Sequence, residues 1–269
     1  SNRLSLSFDW FTKDTNGILL QLNYPAQIGA IPSEENAGSM NNKGWELALS
    51  WRDRIGDFSY GLGFNLSDVK NKITDLAGNQ PDLSGDQIRR VGDPIDAFYG
   101  YIAEGLMTAD DFEIYDSTTK KYELPKIPVV LGYDYEPGDI KYKDISGPNG
   151  IPDGRISPEY DKTVIGSNIP RYTYSFRGDM AYKNFDFSIN IQGVGKCDGY
   201  LTGTARHAFQ DMAAYPQKTH LQRFNIETNP NPQAAYPRLT YNTGFNQNTF
   251  STFWLEDASY LRVKNIQVG

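Results

Sequence analysis

In Arg3-Leu4-Ser5-Leu6-Ser7-Phe8-Asp9-Trp10 every even position is apolar and every odd one polar. Successive side chains of a β-strand point to opposite faces, so this segment has one apolar face and one wet face. The pattern returns in pairs. Trp45, Leu47, Leu49 and Trp51 alternate with Glu46, Ala48 and Ser50. After the short connection Asp53-Arg54-Ile55-Gly56-Asp57, Phe58, Tyr60, Leu62, Phe64 and Leu66 alternate with Ser59, Gly61, Gly63, Asn65 and Ser67. That return strand is expected to run about nine to eleven residues, the length that crosses a bilayer when tilted.

A third pair comprises Tyr172, Tyr174, Phe176 and Met180, turning at Lys183-Asn184 into Phe185, Phe187, Ile189 and Ile191. The last run, Phe253 through Tyr260, Leu261, Val263, Ile266 and Val268, slips phase after Val263, which predicts a bulge. Near the start, Asn16-Gly17 reads as a hairpin turn, after which the alternation resumes at Leu20, Leu22 and Tyr24. Chain turns are frequent throughout, with 25 Gly and 15 Pro among 269 residues, which speaks against long helices.

The connections alternate between very short and very long. Leu76 to Ile169 is nearly a hundred residues with few clean strands, and Gly195 to Thr252 almost sixty. Compact soluble domains rarely carry such loops; transmembrane barrels do, with tight turns at one end and long loops at the other. Strands of this kind lack the ~20-residue apolar run of a spanning helix, and none is found here. Ser1-Asn2-Arg3 leads straight into the first alternation, so no signal peptide is expected. The rival is a soluble, secreted β-sandwich that binds carbohydrate, in which the apolar faces meet each other in a core.

Five segments, in order, resemble the barrel region of SusC/RagA-type TonB-linked outer-membrane proteins. They are Asn36-Ala37-Gly38 with Asn42-Lys43-Gly44-Trp45-Glu46-Leu47; Val91-Gly92-Asp93-Pro94 with Phe98-Tyr99-Gly100-Tyr101 and Glu104-Gly105; Pro137-Gly138-Asp139-Ile140-Lys141-Tyr142; Thr163-Val164-Ile165-Gly166 through Pro170; and Tyr236-Pro237-Arg238-Leu239 with Ser251-Thr252-Phe253-Trp254 through Arg262. The resemblance implies that residues 1–269 form the C-terminal portion of an all-β, antiparallel transmembrane barrel with long extracellular loops, about 22 strands when complete. The plug, the N-terminal barrel strands and the last strands then lie outside this sequence. It further implies TonB-dependent import of nutrient oligomers, oligosaccharides above peptides, in the outer membrane of a Bacteroidetes-type bacterium. A SusD-like surface lipoprotein is the implied partner, with TonB engaged through the missing N-terminal part. A porin without energised transport differs only in that part.

Other functions find little support. The formal charge is −7 with no basic stripe, which excludes a nucleic-acid groove. Cys197 is the lone cysteine, and His207 and His220 read as ordinary loop residues. Asp110-Asp111 and Glu34-Glu35 are adjacent in sequence and point away from each other, so they cannot flank a glycosidic bond. No enzyme is expected and no cofactor is required. Asp144 to Asp153 resembles a calcium loop interrupted by Pro148, with Asp144 and Asp153 as candidate Ca2+ ligands and a tight acidic turn as the alternative. Phe98, Tyr99, Tyr101, Tyr133 and Tyr135 are candidates for contact with substrate or partner, or else pack the loops together. Trp10, Trp45, Trp51 and Trp254 lie where an interfacial aromatic girdle is expected.

Overall fold

The alternating segments all enter one antiparallel sheet. A computed structural model describes residues 3–21, 34–209, 215–241 and 249–269. The predicted continuation through Leu22 and Tyr24 lies outside the described residues. Among the described residues there is no α-helix; sixteen strands and a few short 3-10 turns make up the regular structure. In chain order they are β1 (Leu4–Gln21), β2 (Glu34–Ile55), β3 (Phe58–Asp75), β4 (Asp82–Ser84), β5 (Gln87–Arg89), β6 (Ala97–Tyr101), β7 (Ala103–Leu106) and β8 (Phe112–Asp116). Then come β9 (Lys121–Pro125), β10 (Ile140–Tyr142), β11 (Lys162–Gly166), β12 (Tyr172–Tyr182), β13 (Phe185–Gly195), β14 (Asp198–Tyr200), β15 (Leu255–Asp257) and β16 (Tyr260–Val268).

The chain divides into two units. The first, Ser1–Ala97, Gly166–Gly199 and Asp257–Gly269, contains the six-stranded sheet in the order β1-β2-β3-β12-β13-β16. Every neighbouring pair is antiparallel. At one end, two-residue turns at Gly56-Asp57 and Lys183-Asn184 join β2 to β3 and β12 to β13. At the other end the long excursions leave after Asp75 and Gly195 and return at Tyr172 and Tyr260. The short-long alternation read from the sequence is thus a property of the two ends of one sheet.

Two expectations about individual strands need correcting. The return strand β3 is 18 residues long, well beyond the nine to eleven foreseen, and its partner β2 runs for 22. The pairing simply continues through polar stretches, Asn41–Lys43 against Lys70–Lys72, where no hydrophobic alternation announces it. Asn16-Gly17 is not a turn either. β1 runs through it and stays paired with β2 on both sides, Asn16 with Ser39 and Ile18 with Gly38. Gly17, at φ +72°, is an extra residue in β1, and Ala37 is one in β2 just beyond it. Positive φ suits a bulge as well as a turn, so the dipeptide alone could not decide. The phase slip at Val263 is a bulge as expected: Asn190 pairs Asn265 while Ile191 pairs Val263, leaving Lys264 between them.

The second unit, Phe98–Ile165 and Tyr200–Glu256, has a core of its own. Here β7 pairs with β10, β8 with β9, and β6 with β11. Tyr101, Leu106, Ile140, Tyr142, Ile156, Phe224, Ala234 and Trp254 form one buried cluster, and Met107, Phe112 and Tyr135 a smaller one. A bidentate ion pair joins the two halves of this unit. Arg238 donates from Nε and an Nη to the Asp139 carboxylate at 2.7 and 3.2 Å, and Asp139 is buried. Beside it, Gly138 holds φ +95°, and a Cβ there would lie 2.5 Å from the Phe224 ring and 2.9 Å from Arg238 Cβ. Only glycine fits that approach.

Removing one partner of such a pair strands the other charge. Arg238→Ala is expected to cost about 2–3 kcal/mol, and Arg238→Ala with Asp139→Asn distinctly less. Chemical denaturation of the single and double variants measures both; equal losses would show that the pair carries no specific energy.

Candidate functional site

The candidate site is first a surface. Reading across the six strands at one level, the side chains of one face form rows. Phe8, Leu47, Leu66, Tyr174 and Leu261 share a level; Leu6, Leu49, Phe64, Phe176, Ile191 and Val263 the next; Leu4, Trp51, Leu62, Ile189 and Ile266 the third. Tyr60, Met180, Phe187 and Val268 follow, then Ile55, Phe58, Tyr182 and Phe185 at the turns. Trp10, Trp45 and Tyr172 close the opposite end. Rows two residues apart are separated by ~6.7 Å, so the band measures ~33 Å along the strands and ~25 Å at a tilt near 40°.

Among the described residues, large side chains of this face stay exposed. Phe8 is 58% exposed, Trp10 65% and Leu6 64%, and Leu261, Val263, Ile266 and Val268 are exposed as well. A sandwich core would bury them. Aromatic residues gather toward both ends: Trp10, Trp45, Tyr172 and Tyr174 at one, Tyr60, Phe58, Tyr182 and Phe185 at the other. Amphipathic rings in such positions suit two polar–apolar boundaries. At the first boundary Asp68 is gripped by Arg171 at 2.7 and 3.0 Å, and Asp53, opposite Tyr60 in the same band, is paired with Arg3 at 3.0 Å. The opposite face carries Asp9, Glu46, Ser67 and Thr173 on one row and Ser7, Ala48, Asn65, Ser175 and Gln192 on the next. These hydrogen-bond across strands, Asn65 Nδ2 to Ser175 Oγ at 3.1 Å and the Ser67 and Thr173 hydroxyls to each other.

Of the residues singled out from the sequence, Trp10, Trp45 and Trp51 lie in the apolar rows. Trp254 does not. It is 1% exposed at the centre of the second unit's core, and its expected girdle role is corrected by that burial. Phe98, Tyr101 and Tyr135 are also core residues, which leaves them no free surface for a ligand. Tyr101 packs on Tyr142 at 5.1 Å. The Tyr135 hydroxyl accepts a hydrogen bond from the Val130 N–H at 3.2 Å, and burial pushes its pKa up to about 12. Tyr99 is half-buried, and Tyr133, 49% exposed, is the most exposed of the five.

Asp144 and Asp153 both serve backbone amides. Asp144 accepts the Gly154 N–H at 2.6 Å and Asp153 the Arg155 N–H at 3.0 Å. Among the described residues no three His, Cys, Asp or Glu side chains converge as a metal site would require. Asp161, which no sequence pattern marked, organises this loop. Its buried carboxylate accepts the N–H groups of Ile145, Ser146 and Ser157. His207 and His220 are buried rather than on open loops; His220 Nδ1 accepts the Gln217 N–H at 2.8 Å and its ring meets Tyr236 edge-on. Arg206 was missed as well. It lies over the rings of Tyr200, Phe250 and Trp254 at 5.3–5.9 Å, a cation–π cluster drawn from distant segments.

An arginine on the apolar face tests the surface directly. Leu62→Arg or Phe187→Arg should each cost about 2–4 kcal/mol in a bilayer. Reversible unfolding in lipid vesicles reads the loss, and a value near zero would remove both residues from the lipid side.

No protein-family model matches the chain. It is 30% identical over its whole length to TonB-dependent receptor P3 of Formosa agariphila and 30% identical to TonB-dependent receptor P26 of the same bacterium. To TonB-dependent receptor SusC of Bacteroides thetaiotaomicron it is 22% identical, again over the whole chain. The chain spans about a quarter of each relative, from 24% to 26% of their length. Among solved structures, a chain of the RagAB peptide importer in its open-open state superposes with a TM-score of 0.70 at 21% identity, covering 99% of this chain and 26% of that one. The fold is therefore shared, and the relatives are receptors and importers rather than enzymes. Fold and end-to-end sequence similarity together relate this chain to about a quarter of the length of TonB-dependent receptors, SusC among them.

Proposed function

We propose that this chain supplies part of the wall and loops of an outer-membrane barrel that imports nutrient oligomers with energy passed through TonB. The observation that carries this reading is the uncovered apolar band, ~25 Å tall and edged with aromatic rings, because that is the lipid-facing surface of an outer-membrane barrel. Backbone groups within it are satisfied by strand pairing, as a membrane requires. The outer strands β1 and β16 each pair on one side among the described residues, and further barrel strands would pair the other. In this reading the 269 residues are the C-terminal barrel portion, and plug and TonB contact come from other parts of the receptor.

The polar face, with its small Ser, Thr and Asn side chains, lines the lumen. The second unit forms outer loops that help hold substrate and meet a SusD-like lipoprotein. Oligosaccharides are the proposed cargo, and exposed rings such as Tyr133 suit the apolar faces of sugars. The chain performs no catalysis in this scheme and needs no cofactor, although a Ca2+ ion at Asp144 and Asp153 would stiffen the same loop without altering transport.

Fractionation of cells expressing the full-length receptor with an affinity tag tests the proposal. Recovery from the outer membrane only with detergent, together with a co-purifying lipoprotein and loss of growth on one oligosaccharide when the gene is deleted, is the expected result. A monodisperse protein in the detergent-free soluble fraction would overturn it and restore the secreted sandwich.

A further inference from the structure

Within the second unit, the β8–β9 hairpin, the Glu136-Pro137 step and the segment around Arg223 and Arg238 enclose an open cleft of about 530 Å³. Small-molecule sites commonly have this size. Its lining gathers Lys120, Arg223 and Arg238, in a chain whose formal net charge is −7. The three cations are not equivalent. Arg238 is committed to Asp139. Arg223 is half-buried, and its guanidinium has no hydrogen bond or ion pair among the described residues; only its backbone is bonded, N–H to the His220 carbonyl and carbonyl to Asn229 Nδ2. Lys120 is exposed and likewise has no acidic partner among them.

A guanidinium partly withdrawn from water without a counter-charge is unfavourable unless a ligand supplies one. Glu136, the carboxylate in the lining, does not fill that role. It accepts the Tyr122 N–H and feels the charge of Arg238. Next to the free cations stands Tyr115, 53% exposed, its ring 4.8 Å from Tyr122. The cleft therefore offers a planar five-donor fork, a second positive charge and an open aromatic face. A fork of that shape matches a carboxylate bidentately, and the ring accepts the apolar side of the unit that carries it.

We infer that this cleft is a subsite for a carboxylate group on the imported oligomer, with Arg223 binding the group, Lys120 adding charge and Tyr115 supporting the adjoining unit. The inference rests on the importer reading above and narrows its cargo. Carboxylates of this kind come from uronate sugars or from peptide C-termini.

The test titrates the full-length receptor, purified in detergent, with four probes: an oligogalacturonate, its carboxyl-reduced counterpart, a short peptide and the same peptide amidated at its C-terminus. The carboxylate form of one pair is expected to bind more tightly than its neutral counterpart. Arg223→Ala should weaken that form about tenfold, the scale of one charge-assisted hydrogen bond, and leave the neutral counterpart unchanged. Tyr115→Ala should weaken the same probe without altering its salt dependence, and heat-modifiable mobility on gels reports that each variant barrel is folded. Equal binding of charged and neutral probes, an unaltered affinity in Arg223→Ala, or no binding at all would overturn the subsite. The uronate and peptide arms decide the source of the carboxylate. Because binding is read on purified protein, a receptor that binds but does not import counts against the importer reading alone. One that imports normally without Arg223 counts against the cleft alone.

Discussion

An apolar sheet face that no other part of the described chain covers is the constraint on which the structure turns. Burying such a face is the usual driving force for folding, at about 25 cal/mol per Å². Here it stays open across six strands, from Trp10 at one end to Phe185 at the other. In the importer reading the medium beyond the strands is itself apolar, so the face can stay open. Long strands, tight turns at a single end and aromatic rows at both boundaries then follow as parts of one solution. The polar face follows too, because a sheet with lipid on one side needs an interior that tolerates water on the other.

The motifs that carry the family resemblance serve structure more than recognition. Pro137-Gly138-Asp139 and Tyr236-Pro237-Arg238-Leu239 are a hundred residues apart, yet they meet through the Asp139–Arg238 pair and the close approach at Gly138. Trp254 and Tyr101 fill the same core. A signature built from such residues identifies a scaffold and says little of cargo. The open cleft nearby takes Pro137, Arg238 and Leu239 from these motifs, but its other lining residues include Tyr115, Lys120 and Arg223, none of which belongs to a motif. Substrate preference can then vary among relatives that share the scaffold.

What could be read from the sequence had a period. Alternation placed the strands that start near Leu4, Phe58, Tyr172, Phe185 and Tyr260, the half of β2 from Trp45 onward, and the two turns at Gly56 and Lys183. It failed where period and environment part company. β7, β8 and β10 are three to five residues long, too short to show alternation, so the second unit looked like loop although it has its own core. Tyr101 and Tyr135 were candidates for contact because tyrosine suits both surfaces and cores; only the fold shows which. Asp161 and Arg206 take their importance from partners far away in sequence, and nothing local distinguishes them.

The paired bulges in β1 and β2 carry a consequence for how these strands can change over time. Gly17 adds one residue to its strand and Ala37 adds one to its neighbour, so the ladder beyond them regains the register it had before. A slip of one residue would turn every following side chain to the other face. Losing either bulge alone would therefore misalign the outer end of the hairpin, whereas losing both would leave it in step. A single insertion in this part of the wall therefore calls for a second one close by on the neighbouring strand if the outer register is to be kept.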